Sequence, residues 1–272
     1  VVVPDPYFAS LRLSEGNTHL TLLPGAQNGT AIGLTDATEA GNCTLHVGRG
    51  RLVFRGKSDG KSQDGGPVNI GLRVADELWQ VKFLTPDAVW GLEVIPRQPE
   101  GQYRYDSKTS YTASLYVTHG TIQFSDGDQL NVTKEGPSWI PLTPGQRPTV
   151  NPDGTVRETD PLTTVPSWMG QAKPTRKQLE DSRRFTREFD EIQPIEISLV
   201  GAIDHRDADI AALAVKCFAL TGNYEQLIKT LARSEHREVR RAATDGIRDW
   251  LPTDPDSSEK LRTALAFEYH EE

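Results

Sequence analysis

Cysteine is almost missing from this chain of 272 residues. Only Cys43 and Cys217 occur, far apart and with no Cys-x-x-Cys pair, which excludes a disulfide-stapled scaffold and argues against thiolate zinc or redox chemistry. Long apolar runs are missing too. No stretch of ~18 apolar residues reads as a membrane-spanning helix, and no signal peptide is visible. Catalytic signatures are absent: there is no GxSxG, no GxxxxGK[ST], no HExxH, and no GxGxxG opening a helix. A basic excess is lacking as well. Thirty Lys and Arg stand against 38 Asp and Glu, a net charge of −8, and division at residue 170 leaves each part net acidic. The footprint of a phosphate-backbone binder is therefore not there, and nucleic acid is not an expected partner. What is present, 36% hydrophobic and 25% charged residues, suits one large or two modest globular domains.

Residues 7–145 alternate apolar and polar side chains in short runs punctuated by Gly, Asp, Asn and Pro, the period of half-buried strands. His19–Leu23, Thr44–Phe54 with a glycine-rich kink, Val68–Val74, Leu78–Phe83, Val89–Ile95 and Ser114–Phe124 are the clearest. Trp79, Val81 and Phe83 share one face of their strand, as do Trp90, Leu92 and Val94. The connection Thr85-Pro86-Asp87-Ala88 places Pro where a type I turn wants a fixed φ, so a hairpin is expected there. A second is expected at Ser125-Asp126-Gly127-Asp128, leading into Gln129–Thr133. The frame [TS]-L-x-V-x-x-G-x-[LI]-x-F occurs twice, at Thr44–Phe54 and Ser114–Phe124, and Leu22-Leu23-Pro24-Gly25 is echoed by Leu142-Thr143-Pro144-Gly145. Two similar β units, packed as an antiparallel β sandwich or as β repeats, follow from this.

Prolines at 144, 148, 152, 161, 166 and 174 forbid a long helix, so residues 148–174 read as a Pro-rich linker, with Trp168 and Met169 as apolar pegs that dock it. From Thr175 the period changes to 3.6. Thr175 caps a helix reaching about Asp190. Further helices run from Asp207 or Ala208 to Leu220, from an Asn223 cap to Arg233, from Glu235 to Leu251, and from Ser257 to His270. The expected organisation is a β-rich domain at 1–147, the linker at 148–174 and a small helical domain at 175–272.

No candidate residue outweighs its structural alternative. The six histidines are scattered, and the repeat pairs His46 with Tyr116 and His119 with Arg49, so neither is required by the frame. Asp204-His-Arg-Asp207-Ala-Asp209 resembles the start of a calcium loop but lacks the sixth-position glycine and distal Glu; acidic residues capping a helix explain it better. Trp79 and Trp90 could form a glycan platform, yet they head apolar strand faces, where Trp is usually core. Trp139 reads as a packing corner as readily as a ligand contact. Arg183, Arg184 and Arg187 alternate with acidic residues and read as a solvated helix face. A glycan-acting hydrolase would need two carboxylates about 5–10 Å apart, and Asp126, Asp128 and Glu135 are the nearest cluster. Catalytic, cofactor-binding and metal-ligating residues are accordingly set at none, and no cofactor is expected.

The frame V-x-x-G-x-[LI]-x-F, closing on Leu142-Thr143-Pro144-Gly145-Gln146, resembles the β repeats of FecR-type extracytoplasmic domains over residues 40–147. The helical segment from about Pro194 is similar to HEAT or armadillo helix pairs, in Asp207-Ala-Asp-Ile-Ala-Ala-Leu-Ala and Arg237-Glu-Val-Arg-Arg-Ala-Ala. These resemblances imply a periplasmic or extracellular module, tethered to a membrane only by an anchor this sequence does not contain. The expected function is non-catalytic binding or scaffolding of a protein or cell-envelope ligand. A FecR-type regulatory sensor and a glycan hydrolase are the alternatives.

Overall fold

The computed structural model describes residues 2–4, 7–13, 18–23, 29–35, 43–56, 68–74, 77–97, 110–126, 139–150, 156–161, 164–170, 175–190, 192–221, 223–251 and 257–270; structural statements below concern these residues. A β domain is followed by a helical region. The strands are β1 (Val2–Pro4), β2 (Ala9–Leu13), β3 (Thr18–Leu23), β4 (Gly29–Thr35), β5 (Cys43–Gly56), β6 (Asn69–Val74), β7 (Glu77–Phe83), β8 (Val89–Arg97), β9 (Ser110–His119), β10 (Ile122–Asp126), β11 (Ile140–Leu142), β12 (Gln146–Val150) and β13 (Val156–Pro161).

The long strand β5 organises the domain. Up to Arg49 it pairs with β4 and β6; from Gly50 onward it pairs with β3 and β8. It thus belongs to two sheets folded over one another. The first has the order β1-β4-β5-β6-β7-β10-β11, and the second β2-β3-β5-β8-β9-β12-β13. The described pairs are antiparallel except β5–β6, which is parallel, so the first sheet is mixed where an antiparallel arrangement was expected. Period-2 alternation sends Leu20, Leu22, Leu45, Leu52, Phe54, Trp79, Val81, Trp90, Leu92, Leu115 and Phe124 into one core between the sheets.

The chain changes sheet at Gly50, where φ is 111°. A Cβ there would lie 2.0 Å from the Thr30 hydroxyl oxygen, so only glycine fits. That hydroxyl accepts the Arg51 N–H at 2.9 Å and donates to the Leu23 carbonyl. The same device recurs at Gly120, with φ 69°. A Cβ there would lie 2.1 Å from the Thr85 hydroxyl, which accepts the Thr121 N–H at 2.8 Å. Around Gly120 the chain passes from β9 in the second sheet to β10 in the first. Both copies of the repeated frame therefore take one course: strand, glycine corner, strand in the opposite sheet.

The hairpin expected at Thr85–Ala88 is a turn but not a hairpin. Ala88 N–H does return to the Thr85 carbonyl at 3.2 Å, yet β7 pairs with β6 and β10 whereas β8 pairs with β5 and β9. The connection crosses between sheets. A true hairpin would put both tryptophan rows on one face of one sheet. The crossover instead gives each sheet an inner row: Trp79 meets Phe124 edge-on at 5.5 Å, and Trp90 stacks on Phe54 at 3.9 Å. The second expected hairpin, beyond Asp126, lies outside the described residues.

Part of the stretch read as linker is strand. β12 pairs with β9, and β13 pairs with β12. Pro148 is tolerated because the register breaks between Arg147 and Thr149, where no ladder N–H is needed.

The helices are α1 (Arg176–Thr186), α2 (Ile195–Ile203), α3 (Ala208–Thr221), α4 (Tyr224–Arg233), α5 (Arg237–Trp250) and α6 (Ser257–His270). Thr175 and Gln178 form a reciprocal capping box on α1, and Asn223 caps α4. α3 is central, packing on α2, α4 and α5 around Leu199, Val215, Phe218, Leu227, Val239 and Trp250. Gly246 of α5 lets the backbones close in, since a Cβ there would meet Ala219 at 2.7 Å. α3 also packs against β1 and β4, covering an edge of the first sheet that would otherwise offer unpaired backbone groups. Two further polar links join the β domain to helices: the Tyr7 hydroxyl donates to Asp181 Oδ2 of α1 at 3.3 Å, and Arg49 of β5 lies 3.9 Å from Asp249 of α5.

Candidate functional site: the two outer faces of the sandwich

The residues weighed from sequence are mostly structural. Trp79 and Trp90 are fully buried in the core and form no platform. Asp207 caps α3: its Oδ1 accepts the Asp209 N–H at 3.0 Å, its own N–H donates to His205 Nδ1 at 3.0 Å, and Arg184 binds its other oxygen. The Arg184 hydrogen bond holds the Asp207 carboxyl below the usual carboxylate range. Arg184 is thereby drawn out of the arginine group on α1. His119 Nε2 lies 3.0 Å from Asp87 Oδ2 on an exposed turn, and His205 lies 3.7 Å from Glu188. Among the described residues no three His, Cys, Asp or Glu side chains gather as a metal site. Cys217 is buried, and burial pushes its thiol up to about 12, so it is not a nucleophile at neutral pH. Trp139 is half-buried immediately before β11. The side chains of Asp126, Asp128 and Glu135 lie outside the described residues.

The outer face of the second sheet is occupied by the chain itself. Ser167–Met169 forms a single 3₁₀ turn that lies on Val53, Tyr116 and Leu23. Trp168 meets Tyr116 edge-on at 5.4 Å, and the Arg51 guanidinium sits 5.5 Å from its ring. Met169 is 4% exposed, and its carbonyl accepts from Arg55 at 3.2 Å. Gly91 makes room for the turn: a Cβ there would lie 2.8 Å from Trp168 and 2.9 Å from Met169. Under the turn, Arg51 donates to Glu93 at 2.7 Å, and the Tyr116 hydroxyl donates to the other Glu93 oxygen at 3.2 Å. Burial, followed by the nearby Glu93 charge, raises the Tyr116 pKa. This polar cluster is satisfied internally.

The outer face of the first sheet is different. No described helix packs along β6, β7 or β10. The strand register sets three rows on it: His46 beside Arg73; Thr44, Gly71 and Gln80; and Asn69, Lys82 and Gln123. Arg73 and Gln80 are exposed, while His46, Lys82 and Gln123 are half-buried. Gly33 and Gly71 keep the face low beside His46 and Thr44. Among the described residues of these rows the ionisable groups are Arg73, Lys82 and His46, and there is no carboxylate. In a chain of net charge −8, such a face is a local reversal of sign. Sequence reasoning missed it, because Arg73 and Lys82 lie two rows apart on adjacent strands and only the β5–β6–β7 register shows that they share one face with His46.

No family model and no curated protein matches the chain. Among solved structures it is similar to a chain from Parabacteroides distasonis ATCC 8503, provisionally assigned as an anti-sigma factor and determined at 1.65 Å and at 2.50 Å. Each comparison gives 15% identity and a TM-score of 0.36 over 59% of this chain and 58% of that chain, so the match spans less than two thirds of the neighbour's length.

Proposed function

We propose that the chain is a non-catalytic binding module that recognises a carboxylate-bearing protein or cell-envelope ligand on the outer face of its first sheet. One observation carries this reading: His46 beside Arg73, and Lys82 two rows along, share one face without a described carboxylate, while the opposite face of the sandwich is taken by Trp168 and Met169. A flat face with dispersed donors binds by surface complementarity and electrostatic steering. Placement outside a cytoplasmic membrane, through an anchor beyond this sequence, belongs to the same proposal and is supported by the FecR-like frame. Titration of the full chain with a poly-glutamate peptide tests the recognition face. Binding should weaken with salt, and Arg73→Glu with Lys82→Glu should weaken it at least tenfold. Unchanged affinity in that double variant would overturn the assignment of the face.

A second reading, a FecR-type regulatory sensor, is favoured by the two glycine corners that fall on the repeated frame. It differs in requiring a ligand-dependent change in the helical region, which hydrogen exchange with and without the probe would register.

A further inference from the structure

α2 buries one face only. Ser198, Leu199, Ala202 and Ile203 pack inward, against α3. The opposite face carries Ile197, Val200, Gly201 and Asp204 at positions i, i+3, i+4 and i+7, which helical geometry aligns. Ile197 is 56% and Val200 46% exposed, and Ile192 and Ile195, at the entry to the helix, are 93% and 49% exposed. Exposed apolar side chains grouped on one element, rather than scattered singly, are the kind of surface that marks an interaction site. A Cβ built on Gly201 meets nothing within 4 Å, so the backbone at the centre of the stripe is open to close approach.

The charge around the stripe says what fits it. Between Arg187 and Arg206 the sequence has five carboxylates and no lysine or arginine. Asp190, Glu196 and Asp204 are exposed on this segment, with Glu196 one turn before Val200 and Asp204 one turn after it. A second copy of the chain would bring like charges together across a two-fold axis, which is unfavourable. A helix with an apolar stripe bordered by lysine or arginine satisfies both features at once, its apolar side chains lying against the bare backbone at Gly201.

From this pattern we infer that α2 is a docking surface for a basic amphipathic helix of a partner protein. The surface is distinct from the basic sheet face, and its occupant has the opposite charge. The nine residues of α2 span about 13 Å at ~1.5 Å per residue, so about two to three turns of the partner would be engaged.

Fluorescence anisotropy of the full chain with two synthetic helical peptides tests this, one with a leucine stripe flanked by lysine and one flanked by glutamate. The lysine peptide should bind at least tenfold more tightly. Gly201→Leu adds a side chain where space is open and replaces a poor helix former, so it should keep the fold and abolish binding. Glu196→Lys with Asp204→Lys should weaken the lysine peptide about tenfold and improve the glutamate peptide. Arg73→Glu with Lys82→Glu, which reverses the charge of the sheet face, should leave the affinity of the lysine peptide unchanged, which separates the two surfaces. Retained binding of the lysine peptide in Gly201→Leu, or equal binding of the two peptides to the chain carrying Arg73→Glu and Lys82→Glu, would overturn the inference. So would self-association of the chain that Gly201→Leu abolishes, because the occupant would then be a second copy.

Discussion

Replacing Gly50 by alanine tests how the two sheets are joined. At φ 111° a side chain strains the backbone by about 1–3 kcal/mol. The added Cβ would also fall 2.0 Å from the Thr30 hydroxyl oxygen and 2.6 Å from Thr30 Cα, so the corner must open. Opening it breaks the part-buried Arg51 N–H to Thr30 bond, and a donor held from water without a partner costs about 1–3 kcal/mol. Together these give a loss of about 2–6 kcal/mol, a large share of a typical domain's stability of about 5–15 kcal/mol. Gly145 supplies the control. Its φ is 89° but a Cβ there meets nothing within 4 Å, so Gly145→Ala should cost only the backbone part, about 1–2 kcal/mol. Gly120→Ala should behave like Gly50→Ala, since its Cβ would strike the Thr85 hydroxyl in the same way. Urea unfolding followed by tryptophan fluorescence measures all three. Equal losses for Gly50→Ala and Gly145→Ala would refute the corner argument.

Trp168→Ala removes the edge-on contact with Tyr116 and the stacking of Arg51. Hydrogen exchange should rise sharply at residues 164–170 while the midpoint of global unfolding moves little. Asp207→Ala should destabilise the helical region by about 0.5–2 kcal/mol through loss of the α3 cap. The wild-type contribution of Asp207, whose folded pKa is depressed, is present above the unfolded value near 3.8 and is lost as pH falls through the lower folded value. Tyr7 behaves in the opposite sense. Burial first, and then Asp181, push its pKa up to about 12, so its contribution is complete below pH 10 and is lost between about 10 and 12. Tyr7→Phe should remove that alkaline loss, as measured by unfolding midpoints across the window.

Most strands were legible because one face of each is buried, and the 2-residue period follows directly. Their partners were not legible. Local turn chemistry at Thr85–Ala88 is the same whether the chain returns beside itself or crosses to another sheet, and only the competition of two tryptophan rows for one core decides it. α2 was missed for a related reason. Ile195, Ile197 and Leu199 alternate with Glu196 and Ser198, which mimics a strand, while the contact with α3 that holds it helical is long-range. The helices α4 and α6 were legible to within a residue, because Asn223 and Ser257 mark their starts. The pegs Trp168 and Met169 could be anticipated from apolar residues set among prolines. The basic face could not, because it exists only once register brings β5, β6, β7 and β10 together.

The most direct test of the recognition face is amide chemical-shift mapping of the full chain during titration with the poly-glutamate peptide. Shifts concentrated at Thr44, His46, Arg73, Gln80, Lys82 and Gln123, with Arg51, Tyr116 and Trp168 unmoved, are expected. Shifts concentrated on the second sheet beneath Trp168, or spread without preference over the basic residues of the helices, would contradict it.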